Sequence, residues 1–349
     1  MKIEQILKPL SHAKAGEIGL EIEVELDREL DLDEAPKGWA VDRDGSLRGN
    51  YSYEFKLRQP IKRSALEKYI ESIYQMMDKN KPNDSDNCSV HVHVNCQGLE
   101  VYQIINFACL YYILEPVLLR RCGEHRTGNL FCLSGSDAEF QYKALGDLAQ
   151  LMPNWNMDDL KYAALNLYAL KAYGSLEFRS MRFPITKKQM SSWVNLLLEL
   201  KDNSISLKHD DSLISKFSEL GVEDFIAHFL PTTHKNLDFK GLEGEIREAM
   251  HSVQHIIYTG LQYKKAAGRD NIKQGGARVK AWRRFNTKHR IRTEDGIVLE
   301  PNTREYAFYL TSKVPIEHAS ISRKMMRTII NEDYLTCARI YDDAIREFN

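Results

Sequence analysis

The chain lacks an excess of charge of either sign: 48 Lys and Arg stand against 49 Asp and Glu in 349 residues, a formal net charge of −1 at pH 7. No global field therefore announces a polyanionic partner. Long apolar runs are missing too, with none of about 18 residues, so no membrane span is expected. The start, MKIEQILKPLSHAK, holds no apolar stretch suited to a secretory signal. Cysteine is sparse. Cys88, Cys96, Cys109, Cys122, Cys132 and Cys337 include no CxxC pair, which argues against a disulfide framework and predicts reduced, buried thiols in a cytoplasmic protein. There is no GxxxxGK[ST] phosphate loop, since 134-SGS-136 and 274-QGG-276 read as ordinary turns, and no convincing Ser-His-Asp or Cys nucleophile. What remains, 43% hydrophobic and 28% charged residues, describes an ordinary globular protein of one large domain or two.

What is present is alternation. In 88-CSVHVHVNC-96 the valines fall on one face of a strand and Ser89, His91, His93 and Asn95 on the other. In 19-GLEIEVEL-26 the residues Glu21, Glu23 and Glu25 share a face opposite Leu20, Ile22, Val24 and Leu26. In 52-SYEFKLRQP-60, Glu54 and Lys56 oppose Tyr53, Phe55 and Leu57, and in 175-SLEFRS-180, Glu177 and Arg179 oppose Leu176 and Phe178. Two readings fit each strand: a polar side turned to water, or the lining of a site. Stacked carboxylates repel unless solvated or neutralised, and Mg²⁺ and Mn²⁺ favour carboxylate oxygens. Imidazole can ligate a metal or hydrogen-bond a phosphate.

Along the chain, 42-DRDGSL-47 reads as a turn, residues 61–80 as a helix, residues 99–114 as an apolar helix ending near Glu115-Pro116, and 137–152 as a further helix. Residues 162–184 read as a hairpin turning at Tyr173-Gly174, and from about 186 onward the pattern is mainly helical. We divide the chain into a core over 1–200 and a mainly helical region over 201–349, either a unit of its own or part of the same domain. One compositional shift stands out: residues 264–292 hold 11 Lys or Arg and one acidic residue, with Trp282 and Phe285 among them. Such a segment fits a solvated loop, a clamp over nucleotide, or a nucleic-acid surface.

The motif order G-x-E-x-E (Gly19, Glu21, Glu23), W-x-x-D-x-D-G-S (Trp39, Asp42, Asp44, Gly45, Ser46), E-F-x-x-x-Q-P (Glu54, Gln59, Pro60), H-V-H-V (His91, His93), L-N-L (Leu165, Asn166, Leu167) and L-E-F-R (Glu177, Arg179) resembles the amidoligase family. These are carboxylate–amine ligases related to glutamine synthetase and glutamate–cysteine ligase. The matches cover residues 17–184. The resemblance implies an α+β fold, a curved antiparallel sheet of the glutamine-synthetase type with helices behind it, ATP and Mg²⁺ or Mn²⁺ on its concave face, and amide formation between a carboxylate and an amine. It further implies that Glu21, His91 and Glu177 ligate the metal bridging the nucleotide phosphates and that Glu23 and Glu54 hold a second metal beside the acceptor carboxylate. His93 would touch a phosphate, and Arg179 would stabilise the transferred phosphoryl group. Phosphoryl transfer relies on positioning and cations rather than on a protein nucleophile, which suits the missing triad.

Other residues carry two readings. Arg120, Arg121 and Arg126 follow the apolar helix, where cations serve the helix dipole or reach a nucleotide phosphate. Asn166, beside the Glu177 strand, is a candidate for orienting substrate or cofactor. Asp42 and Asp44 serve a turn around Gly45 or the site, and Trp39 is a core or rim aromatic. Two rival functions stay open: a metal-dependent phosphotransferase on the same scaffold, and a nucleic-acid-binding protein on an inactive one, through residues 264–292.

Overall fold

Strands whose apolar residues fall on one side pair most firmly when that side shares a common cover, and the first half of the chain is built this way. The computed structural model describes residues 2–7, 16–85, 87–123, 126, 129, 132–135, 138, 140–149, 162–207, 212–267, 291–292, 298–299, 304–315, 318–330, 337, 340–341 and 344. The chain divides into two compact units, Met1–Lys264 and Lys265–Asn349. Residues 201–264, grouped by sequence with the C-terminal region, thus belong to the first unit.

In that unit β1 (Ile18–Glu25), β2 (Trp39–Arg43), β3 (Ser52–Leu57), β4 (Ser89–Asn95), β5 (Leu165–Asn166) and β6 (Ser175–Arg182) form one open sheet in the order β2-β3-β1-β4-β6-β5. Every pairing is antiparallel. Among the strands run α1 (Ile3–Leu7), α2 (Leu66–Met77), α3 (Val101–Cys122), α4 (Phe140–Ala149) and α5 (Tyr168–Ala172), followed by α6 (Lys187–Ile205), α7 (Ser212–Phe229) and α8 (Glu243–Ala267). This is a mixed α+β arrangement, as the resemblance implied, with an open antiparallel sheet and helices.

The alternating valines, isoleucines and leucines of β1, β4 and β6 are fully buried on the helix side. There the rings of Phe107 and Tyr111 on α3 lie 5.4 and 5.0 Å from that of Phe178 on β6. Trp39 is a core residue, its Nε1 donating to Ser72 Oγ of α2 at 3.2 Å. The helices thus seal one face and leave the polar face for a site.

Three local expectations are corrected. The apolar helix does not stop at Pro116 but runs through it to Cys122. An interior proline costs about 3 kcal/mol, yet Val117, Leu118 and Cys122 beyond it are fully buried, each large apolar side chain contributing roughly 1.5–3 kcal/mol. Tertiary burial therefore wins. By length and composition α3 could cross a membrane, although 83% of its most apolar window is buried inside the protein. Second, the first arm of the 162–184 hairpin is largely helical. Asn166 Oδ1 accepts from the Tyr168 amide at 2.9 Å and turns the chain into α5. Gly174, at φ 72°, then starts β6 where a Cβ would meet Gln97 Cγ at 2.3 Å. Third, Asp42 belongs to strand β2, and the turn is Asp44's, whose Oδ1 accepts from the amide and hydroxyl of Ser46.

In the second unit β7 (Ile291–Arg292) pairs with β8 (Val298–Leu299), and α9 (Arg304–Ser312) packs with α10 (Ala319–Ile330) around Tyr306, Leu310, Met325 and Ile329. Apart from its ends, the basic segment 264–292 lies outside the described residues. All six cysteines are buried thiols outside any disulfide, and burial pushes Cys88 and Cys96 up to about 11.

Candidate functional site

Register decides which polar residues meet. Across the sheet Glu54 of β3 pairs with Glu23 of β1, Lys56 with Glu21, Glu21 with His91 of β4, Gly19 with His93, His93 with Glu177 of β6, and Glu177 with Asn166 of β5. Every expected site residue except Arg120 thus falls on one face, and Glu21, His93 and Glu177 converge at its centre.

His93 Nδ1 lies 3.0 Å from Ser175 Oγ. Its Nε2 is buried without a hydrogen-bond partner, 3.4 Å from Glu21 Oε1 and 4.0 Å from Glu177 Oε2. One ligand atom from each of these three residues lies within 4.8 Å of the other two. Two carboxylates and an imidazole whose other nitrogen is held by a hydroxyl suit a divalent cation such as Mn²⁺ or Mg²⁺. Gly19 makes room for the ring, because a Cβ there would sit 3.2 Å from His93 Cβ. A cleft of about 280 Å³ opens beside this cluster, lined among others by Lys56, Arg58, Tyr173 and Ser175. The edge-on ring of Tyr173, 5.7 Å from that of His93, stands half exposed at its rim.

His91 is placed differently. Its Nε2 lies 2.8 Å from Ser89 Oγ and 3.5 Å from Glu23, and its Nδ1 lies 3.3 Å from both Glu21 Oε2 and Arg179 Nη1. Nδ1 also lies 3.6 Å from Glu177 Oε1, so both nitrogens of His91 face protein groups, whereas His93 Nε2 has no hydrogen-bond partner. Arg179 Nη1 donates to Glu177 Oε1 at 2.5 Å and Asn166 Nδ2 to Glu177 Oε2 at 2.6 Å. Asn166 thus links the Glu177 carboxylate to the Tyr168 amide, its Oδ1 accepting from the latter.

The expected second cation pair, Glu23 and Glu54, faces across β1 and β3, but Glu54 already holds Lys56 Nζ at 2.6 Å. Ser89 Oγ donates to Glu23. Among the described residues the only cluster with metal-ligand spacing is Glu21, His93 and Glu177. Arg120 is elsewhere: its guanidinium donates to the carbonyls of Lys240 and Asp238. Arg121 likewise serves Asn236 and Ser192, and Arg126 the backbone of β6. All three are structural donors.

The charges are interlocked. Burial pushes Glu21 up, but His91 and His93 outweigh it and hold its carboxyl well below the usual carboxylate range. Glu177 follows the same pattern, lowered against its burial by His93 and Arg179. Burial disfavours the charged form of His93, yet Glu177 and Glu21 prevail and raise it. Burial raises Glu54, with Glu21 and Glu23 adding to it and Lys56 opposing. Sequence reasoning had Lys56 on this face but gave it no part, and it passed over Ser175 and Tyr173. Ser175 was within reach, being two residues before Glu177.

No family model matches the chain, and no curated protein matches it.

Proposed function

We propose that this protein is a divalent-cation-dependent, ATP-using carboxylate–amine ligase of the amidoligase type, joining a carboxylate to an amine through an acyl phosphate. The observation that carries the reading is the buried, unpartnered Nε2 of His93 aimed between the carboxylates of Glu21 and Glu177. ATP enters from the order of the sequence motifs, and the buried cluster on one sheet face supports that order.

In this reading Glu21, His93 and Glu177 hold Mg²⁺ or Mn²⁺, which when bound would neutralise phosphate charge during transfer. Ser175 holds the His93 ring with Nε2 facing the cation, and Asn166 holds Glu177. Arg179, largely buried and raised against that burial by Glu177 and Glu23, stays cationic and offers its remaining donors to the transferring phosphoryl group. His91 and Ser89 fix Glu21 and Glu23 from below. The cleft beside His93 receives the small carboxylate or amine substrate, with Lys56 and Arg58 favouring an anionic group.

The test is a pairwise screen of amino acids and amines with ATP and Mn²⁺, reading ADP release and the product mass, for wild type and Glu177→Gln. Amine-dependent ADP release with an amide product, lost in Glu177→Gln, is the expected result. ADP release that needs no amine would replace ligation with simple phosphoryl transfer, and no ATP turnover with any pair would overturn the reading.

A further inference from the structure

The pairing of β4 with β6 contains one irregularity. Val92 pairs with Phe178 and Val90 with Met181, so the single residue His91 faces two, Arg179 and Ser180. This is a β-bulge, a device that re-aims side chains and leaves the ladder locally incomplete. Its geometry sorts the two residues. Arg179 points to the polar face, its Nη1 between Glu177 Oε1 and His91 Nδ1, while Ser180 points to the helices, its Oγ 3.0 Å from Tyr111 Oη.

The carbonyls of both bulge residues go to one side chain. Arg126 Nε donates to Ser180 O at 2.9 Å and Arg126 Nη2 to Arg179 O at 2.7 Å, from a residue only 3% exposed. A planar guanidinium can take two adjacent carbonyls at fixed spacing, and an ammonium cannot. In the preceding peptide the Arg179 amide donates to Ala164 O at 2.8 Å. Arg179 is thus held through its own backbone from two directions.

We infer that Arg126 is a positioning residue: it clamps the bulge of β6 and so aims Arg179 at Glu177 and at whatever anion the cation cluster receives. This rests on the proposed cation site for its consequence but not for its geometry. With the clamp gone the bulge can slip toward regular pairing, and Arg179 leaves Glu177. A cation bound by Glu177 would then lose a competing positive neighbour.

The experiment compares wild type, Arg126→Met, Arg126→Lys, Arg179→Met and the Arg126→Met/Arg179→Met double variant. Mn²⁺ titrations are followed by the spin-resonance signal of free Mn²⁺, alongside ¹⁵N spectra of the arginine side chains and thermal melts. Arg126→Met and Arg179→Met should each tighten Mn²⁺ binding by about tenfold, and the double variant should bind as either single one does. Arg126→Lys should fall between wild type and Arg126→Met, and it carries the cycle if Arg126→Met does not fold. The Arg179 side-chain signals, slowed in exchange by Glu177, should broaden in both Arg126 variants. A lowered melting temperature with unchanged Mn²⁺ affinity and unchanged Arg179 signals would show that Arg126 only adds stability and would overturn the inference, as would effects that multiply in the double variant. If wild type binds no Mn²⁺, the cation reading fails separately, and the Arg179 signals alone decide the clamp.

Discussion

Glu23 and Glu54 are direct cross-strand partners in the middle of the sheet, two carboxylates in the position where like charges repel most. The sheet tolerates this because Lys56 sits against Glu54 and Ser89 against Glu23. Lys56→Met should therefore destabilise the protein by about 0.5–1 kcal/mol at neutral pH, with the half-exposed setting keeping the effect small. Urea melts should show the loss shrinking in a Glu54→Gln background. An equal loss in both backgrounds would mean that the lysine stem, not its charge, matters.

The two histidines should separate in metal titrations. His93→Gln should weaken Mn²⁺ binding on the order of ten- to a hundredfold, while His91→Gln, whose ring nitrogens face protein groups, should change it less. Calorimetry on folded variants checks this. The reverse ranking would restore His91 as the ligand.

Acidity should act through His93 with a defined sign. Its folded value is raised, so in the metal-free protein the stability it contributes is full below the ordinary histidine value of about 6.5 and is lost as pH rises through the folded value. Metal requires the neutral ring, so Mn²⁺ affinity should climb over that same rise. Melting curves and titrations across this window, compared with His93→Gln, should show both trends disappear in the variant. A wild-type affinity flat across the window would remove His93 from the cation's ligands.

Gly19→Ala tests the room left for the His93 ring. The added Cβ meets His93 Cβ at 3.2 Å, so the fold should survive while Mn²⁺ affinity falls several-fold through ring displacement, roughly as for loss of a supporting contact. Unchanged affinity would show that the ring position does not matter.

How far these relationships were readable beforehand follows from the kind of interaction involved. Period-two alternation assigned β1, β3, β4 and β6 and the polar side of each, because one buried face fixes every second residue. It could not say which histidine pairs directly across from Glu177, since His91 and His93 share a face and only the inter-strand register distinguishes them. The bulge at Arg179 and Ser180 lies in that same register and leaves no mark in LEFRS. Arg126 looked like a helix-terminal cation because its partners are backbone carbonyls more than 50 residues away. Pro116 misled for the opposite reason: the local rule was sound, but burial of the next turn outweighed it.

The two outer strands of the sheet also limit how this protein can associate. β2 spans five residues and β5 two, and the last two side chains of β2 are Asp42 and Arg43. An unpaired edge is where another chain's strand would add and begin to grow an aggregate, and brevity with charge is how natural sheets discourage it. Among the described residues, the outermost strands of this carboxylate-studded sheet are thus its shortest, and brevity and charge together make each a poor template for a copy of the same chain.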